Sequence, residues 1–209
     1  MGPRSSPSRP RLVIASLNAD KARELASLLG DVPFEIVSLA ALVGAALPPE
    51  GEESYGVNAL AKARAAARLS GSAALADDSG LEVDALGGRP GVRSARYGGA
   101  GLSDAERCAA LVAELRGVPP ERRTARFRCV VAVASPNGRE EMVEGVVEGM
   151  ITSAPRGTGG FGYDPLFFYP PLGRTFAELD PSEKNRVSHR GRALALARDV
   201  LERWGSAAG

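Results

Sequence analysis

Extended and helical patterns take turns along this chain, and that alternation limits what it can become. Leu12-Val-Ile-Ala15 is an apolar run with the length of a buried strand. A turn follows at once, then a helical segment, Asp20 to Leu29, with Leu25, Leu28 and Leu29 as its apolar stripe. Phe34 to Ser38 alternates like a second strand, and an alanine-rich helix is expected from Tyr55 to Leu69, stopped by Gly71. Ala73 to Ala76 reads as a short strand feeding Asp77-Asp78-Ser79-Gly80, after which Leu81 to Leu86 alternates again. Ser103-Asp-Ala-Glu106 is a capping box that opens another helix. Ala125 to Ala134 and Glu141 to Thr152 read as long strands joined through Pro136-Asn137-Gly138. Asp180-Pro-Ser-Glu183 supplies an N-cap, an N1 proline and an N3 glutamate for a last helix that runs to Trp204. No segment repeats. The pattern predicts an α/β fold around a mixed sheet.

At 209 residues and 44% hydrophobic, the chain is long enough to bury a core without disulfides or metals, which excludes whole-chain disorder. The 26 basic and 25 acidic residues leave a formal charge of +1. A nucleic-acid or membrane-surface protein carries a basic excess, so neither partner is expected. Arg122, Arg123, Arg126 and Arg128 form one local basic cluster, read as a solvated face. An interaction module without catalysis is the alternative that cluster leaves open. Cys108 and Cys129 lack metal-ligand spacing and read as buried thiols, consistent with a reducing cytoplasm. No apolar run approaches the roughly 20 residues that cross a bilayer. Residues 1–10, rich in Pro, Ser and Arg, are expected to be a disordered leader, and residues 11–205 a single domain.

Chemistry concentrates at a few places. Two adjacent carboxylates beside Gly80, just after a strand, are costly unless they face donors or a cation. An Asx-type turn is one reading, and a Mg²⁺ site completed by phosphates is the other. Glu50, Glu52 and Glu53 in the preceding loop can add a carboxylate or remain solvated. Ser16 to Lys21 joins the first strand to the first helix, where free amides favour an anion, although the glycines of a Walker loop are missing. Lys21, Lys62 and Lys184 are the only lysines, arginine supplying the rest of the basic residues. Such sparing use suits positions that need a compact ammonium. Gly157-Thr-Gly-Gly-Phe-Gly162 fits G-x-G-x-x-G, but Pro165 and an extended Leu-Phe-Phe-Tyr run follow instead of a helix, so it is no dinucleotide fingerprint. Phe161, flanked by glycines, is either a packed loop aromatic or a ring presented to a flat base. Ser79 lacks the G-x-S-x-G elbow, which argues against a serine hydrolase built with His189.

Together these segments resemble the inosine triphosphate pyrophosphatase family (dITP/XTP pyrophosphatases). The carriers are Ala15 to Leu25, Asn58 to Ala63, Ala76 to Leu86, Pro90 to Tyr97, Gly157 to Pro165 and Glu183 to Gly191, spread from Leu12 to Trp204. The resemblance implies an elongated mixed sheet with flanking helices, two lobes around a central nucleotide cleft, and a homodimer. It implies Mg²⁺-dependent hydrolysis of ITP, dITP and XTP to the monophosphate and pyrophosphate. By the same resemblance Asp78 is the proton acceptor and a metal ligand, with Glu50 as second ligand and Glu53 behind it. Ser16, Leu17, Asn18, Ala19, Asp20, Lys21 and Lys62 would hold phosphates, and Ser79 would touch substrate. Phe161, Gly162, Tyr163 and Asp164 would line the base pocket, and Lys184, His189 and Arg190 would contact the nucleotide. Leu17 and Asp20 stand where the family has glycines, so crowding of the triphosphate is expected there. Arg190 can only donate, so with Ser188 and His189 it is expected to read an oxygen at the purine 6-position. A related septum-inhibitor-type pyrophosphatase, acting on pyrimidine or modified nucleotides, is the alternative activity.

Overall fold

The computed structural model describes residues 9–42 and 44–206. Seven strands form one sheet: β1 (Arg11–Ile14), β2 (Glu35–Ser38), β3 (Ala73–Val83), β4 (Thr124–Ala134), β5 (Glu140–Ile151), β6 (Phe167–Tyr169) and β7 (Arg174–Thr175). Their spatial order is β2-β1-β3-β4-β5-β6-β7. β1 runs parallel to both β2 and β3, and every later pairing is antiparallel, so the sheet is mixed as expected. The parallel β1–β2 pair needs a crossover, which α1 (Ala19–Leu29) provides. The remaining helices are α2 (Tyr55–Ser70), α3 (Asp104–Glu114), α4 (Pro181–Val187) and α5 (His189–Ser206). Residues 1–8 of the expected leader lie outside the described residues. Pro10 is tied to the sheet edge, its carbonyl accepting from Glu35 N at 2.9 Å.

Three cores flank the sheet. On one face Leu25 and Leu29 of α1 meet Leu194, Leu201 and Trp204 of α5 over Leu12, Ile14, Leu75 and Val131. On the other, Ala59, Ala63, Ala66 and Ala67 of α2 lie on Val13, Ala74, Ala76 and Ala132. Small side chains on both surfaces bring that helix close to the sheet. The third core gathers Leu81, Leu111, Leu115, Phe127, Val147, Phe167 and Phe176 at the far end of the long strands. Cys108 and Cys129 are buried free thiols, as read from sequence.

Two local expectations change. The Asp77-Asp78-Ser79-Gly80 segment is neither a turn nor a strand end: β3 runs unbroken from Ala73 to Val83, and Asp78 pairs opposite Val130. The long antiparallel partner β4 carries the strand through the polar residues. Only Asp84–Leu86 leaves the sheet, as a 3₁₀ turn. The strand that ends here is β1, whose pairing with β3 stops at Leu75, and this frees one edge of β3 beside the two aspartates.

The last helix is also two helices. The capping box at Asp180 and Glu183 forms, but Ser188 is extended (φ −69°, ψ 155°) and its hydroxyl caps the next segment, accepting from Gly191 N at 3.1 Å. A Cβ on Gly191 would lie 1.8 Å from the Asn185 carbonyl oxygen, so only glycine allows the tight corner. The arginine cluster is no open patch. Arg126 pairs with Glu82, Asp84 and Glu148, Arg128 with Glu82 and Glu144, and buried Arg123 donates to the Leu115 and Val118 carbonyls.

Candidate active site

Successive side chains on a strand point to opposite faces, so Asp77 and Asp78 part company on β3. Asp77 turns toward α1 and α5. Its Oδ1 meets Lys21 Nζ at 2.8 Å and its Oδ2 meets Arg190 Nε at 3.3 Å, with Cys129 Sγ behind at 3.9 Å. Burial alone would raise this carboxyl, but the Lys21 and Arg190 charges outweigh it and hold Asp77 well below the usual carboxylate range.

Asp78 turns toward α2. Asn58 Nδ2 donates to its Oδ2 at 2.8 Å, its own neighbour's amide, Ser79 N, donates to Oδ1 at 3.0 Å, and Lys62 Nζ lies 3.9 Å away. Lys62 in turn holds Glu50 Oε1 at 2.7 Å. Burial pushes the Asp78 carboxyl up, and Lys62 and Asn58 only partly oppose it. Asn58 and Lys62 share one face of α2 at i, i+4 spacing, which is how one helix serves both oxygens. Glu53 is exposed and lies along a separate shallow concavity, so Glu50 is the loop carboxylate brought to this point.

A cleft of about 520 Å³ opens over this edge, lined among others by Asn18, Lys21, Glu50, Asp78, Ser79, Phe161, Tyr163, Asp164, Lys184, His189 and Arg190. Ser16 and Asn18 form the β1–α1 turn: Ser16 Oγ accepts from Asn18 N at 3.2 Å and Asn18 Oδ1 from Lys21 N at 3.1 Å. Leu17 is exposed. The side chains of Ala19 and Asp20 lie outside the described residues, so the expected crowding is not visible there. Lys184 Nζ bonds to buried Asp164 Oδ2 and stands 4.5 Å over the Phe161 ring. The Phe161 ring is itself about half exposed. All three lysines of the chain therefore sit on carboxylates in or beside one cleft.

At the start of α5, His189 stacks on Phe127 with centroids 4.6 Å apart. Burial and the Arg190 and Lys184 charges hold it neutral, well below its ordinary value, and its Nδ1 is buried without a protein partner. Arg190 spreads its guanidinium over Asp77, Glu24 at 3.4 Å and Ser79 Oγ at 3.3 Å. Sequence reasoning singled out neither Glu24 nor Asn58, nor Asp104 and Arg107, which also line the cleft. The i, i+3 step from Lys21 to Glu24 and the i, i+4 step from Asn58 to Lys62 were the available signals for the first two.

Among the described residues no three His, Cys, Asp or Glu side chains gather as a metal cage, so a cation here would share Glu50 and Asp78 with Lys62. Glu50 and Asp78 converge on one ammonium, and Mg²⁺ takes one or two carboxylates while water and substrate phosphates complete its shell.

A family model described as the Ham1 family matches residues 12–200. A dITP/XTP pyrophosphatase of Desulforamulus reducens is 50% identical over 193 residues, 92% of this chain and 96% of the relative. One from Geobacter sulfurreducens is 52% identical over 191 residues, 91% and 96% of the two chains. The structure of a HAM1 protein from Coxiella burnetii superposes with a TM-score of 0.86 at 41% identity, covering 93% of this chain and 99% of the other.

Proposed function

The chain belongs to the Ham1 family, and from that membership and the cleft's chemistry we propose that it hydrolyses deaminated purine nucleoside triphosphates, ITP, dITP and XTP, to the monophosphate and pyrophosphate. The observation that carries this reading is the meeting of a buried, upward-shifted carboxyl with lysines on separate elements. Asp78 stands beside Lys62, and Lys21 projects into the same cleft. That combination suits attack on a polyanion: a base for water and fixed positive charge for the oxygens.

In this mechanism Asp78 orients a water at the α-phosphorus and accepts its proton as the bond to the pyrophosphate oxygen breaks. Its raised proton affinity makes it a better acceptor near neutral pH than an ordinary aspartate. Lys62, held by Glu50, and Lys21, held by Asp77, stay in place to face phosphate oxygens. The β1–α1 turn (Ser16, Leu17, Asn18, Ala19, Asp20) would set the positive end of α1 toward the same anion. Glu50 and Asp78 would hold Mg²⁺, which when bound offsets phosphate charge. Phe161 offers a ring to the base, with Gly162, Tyr163 and Asp164 around it and Lys184 beneath. Arg190 would donate toward the oxygen at the 6-position, with buried His189 packed beside it and Ser79 Oγ lying against Arg190. The same reading makes the protein a cytoplasmic homodimer that removes damaged nucleotides from the pool.

Pyrophosphate release from a panel of nucleoside triphosphates with Mg²⁺ tests it. ITP and XTP are expected to exceed ATP and the pyrimidine nucleotides, EDTA to stop release, and Mg²⁺ to restore it. Preference for a pyrimidine nucleotide would transfer the chain to the septum-inhibitor type of activity.

A further inference from the structure

We propose that Asn58 is a positioning residue for the reaction: its amide clasps the backbone of the loop that carries Glu50 and holds that loop against Asp78. The inference rests on the proposed function and deepens it. Asn58 lies in the first turn of α2 and is 4% exposed. Its Oδ1 accepts from Gly51 N at 2.8 Å, and its Nδ2 donates to the Gly51 carbonyl at 3.2 Å and to Asp78 Oδ2 at 2.8 Å. A primary amide has two N–H donors and one carbonyl, so every polar group of the side chain is engaged. The partners also fix which way round it lies. A flipped amide would set its oxygen on the Asp78 carboxylate and its N–H on the Gly51 N–H.

Residues 49–53 are exposed and lie outside helix and strand, so burial does not fix them. Glu52 reaches Arg93 at 2.6 Å, but both side chains are exposed and such a pair contributes little. Lys62 Nζ meets Glu50 Oε1 at 2.7 Å, yet two long side chains joined at their tips leave the backbone free to move. The two bonds to Gly51 act on the backbone next to Glu50 itself. Through the third bond the same rigid amide sets Asp78, so one buried side chain fixes the spacing of the two carboxylates. Groups that orient ligand carboxylates in this way typically change metal affinity or activity by about 10–100-fold when removed.

The test compares wild type, Asn58→Ala and Asn58→Leu, each checked for folding by thermal unfolding. Asn58→Ala leaves room for water to replace the amide, whereas Asn58→Leu fills the space and makes no hydrogen bond. Amide hydrogen exchange followed by NMR without Mg²⁺ is expected to quicken at Gly51 by about tenfold or more in both, the scale of a lost hydrogen bond. With ITP, the half-saturating Mg²⁺ concentration should rise by about tenfold and kcat should fall by about 10–100-fold, while KM at saturating Mg²⁺ changes less. Asn58→Leu should be the more impaired of the two, because a merely space-filling residue would give the reverse order. Unchanged Gly51 exchange, unchanged Mg²⁺ demand and kcat, or a milder effect of Asn58→Leu than of Asn58→Ala would overturn the inference and leave the proposed activity standing. A wild type that hydrolyses neither ITP nor XTP would overturn both.

Discussion

Asp77 and Asp78 are chemically identical neighbours given opposite work by a one-residue step along a strand. Asp77 is stabilised as an anion by Lys21 and Arg190, whereas Asp78 is kept in an environment that disfavours its charge. Their amide variants should therefore fail differently. Asp78→Asn removes charge and basicity where ionisation is already disfavoured, so turnover should fall by about 10²–10⁴ with little loss of stability. Asp77→Asn removes the carboxylate shared by buried Arg190 and part-exposed Lys21 and should lower unfolding free energy by roughly 3 kcal/mol, toward the low end for a buried pair because Arg190 keeps Glu24. Urea unfolding and pyrophosphate release on both proteins check this. A stable, active Asp77→Asn would contradict its role as the anchor of Lys21 and Arg190.

At the scale of elements, the site depends on how closely α5 approaches β5. A Cβ on Gly145 would come within 2.2 Å of the His189 carbonyl oxygen and 2.5 Å of Ala193 N, both backbone atoms that cannot swing aside. Gly145→Ala is expected to push the start of α5 away from the sheet, costing about 1–3 kcal/mol, as overpacking does. Activity should fall as well, because His189 and Arg190 ride on that first turn. Chemical denaturation paired with kcat/KM measures both effects, and normal values for both would show that the helix has room to shift. The break at Ser188 belongs to the same scale. The extended backbone at Ser188 and the corner at Gly191 are what divide the segment into two helices.

For the molecule as a whole, His189 couples folding to pH. Its folded-state pKa is depressed by burial and by the facing charges of Arg190, Lys184 and Lys21, with Asp77 opposing them. Below the ordinary value of 6.5 the unfolded chain takes up a proton that the folded chain refuses. Stability contributed by this group is thus present above pH 6.5 and declines as pH falls, by at most about 1.4 kcal/mol per pH unit. The raised carboxyls of Asp78 and Asp164 act in the opposite sense once acid enough to protonate them folded. Comparing urea unfolding of wild type and His189→Gln between pH 7 and 5.5 isolates the histidine. The wild type should lose more stability over that interval, and parallel losses would remove His189 from the account.

Much of this protein is determined locally. Caps, turns and apolar spacing mark α2, α3 and the β4–β5 hairpin because each depends on interactions within a few residues, as the Ser54 and Ser103 caps show. The paired carboxylates Asp77 and Asp78 are legible as chemistry for the same reason, whereas the roles of Lys62, Lys184, His189 and Arg190 came only through the family resemblance. What tertiary structure decided is which charges meet. No spacing in the chain places Lys21 on Asp77 or Lys184 on Asp164. β3 reads as two strands because its polar centre breaks the apolar pattern, and only pairing along the full length of β4 makes it continuous. The ending of β1 three residues short of Asp78, a property of the sheet rather than of either segment, is what opens that polar centre to a ligand.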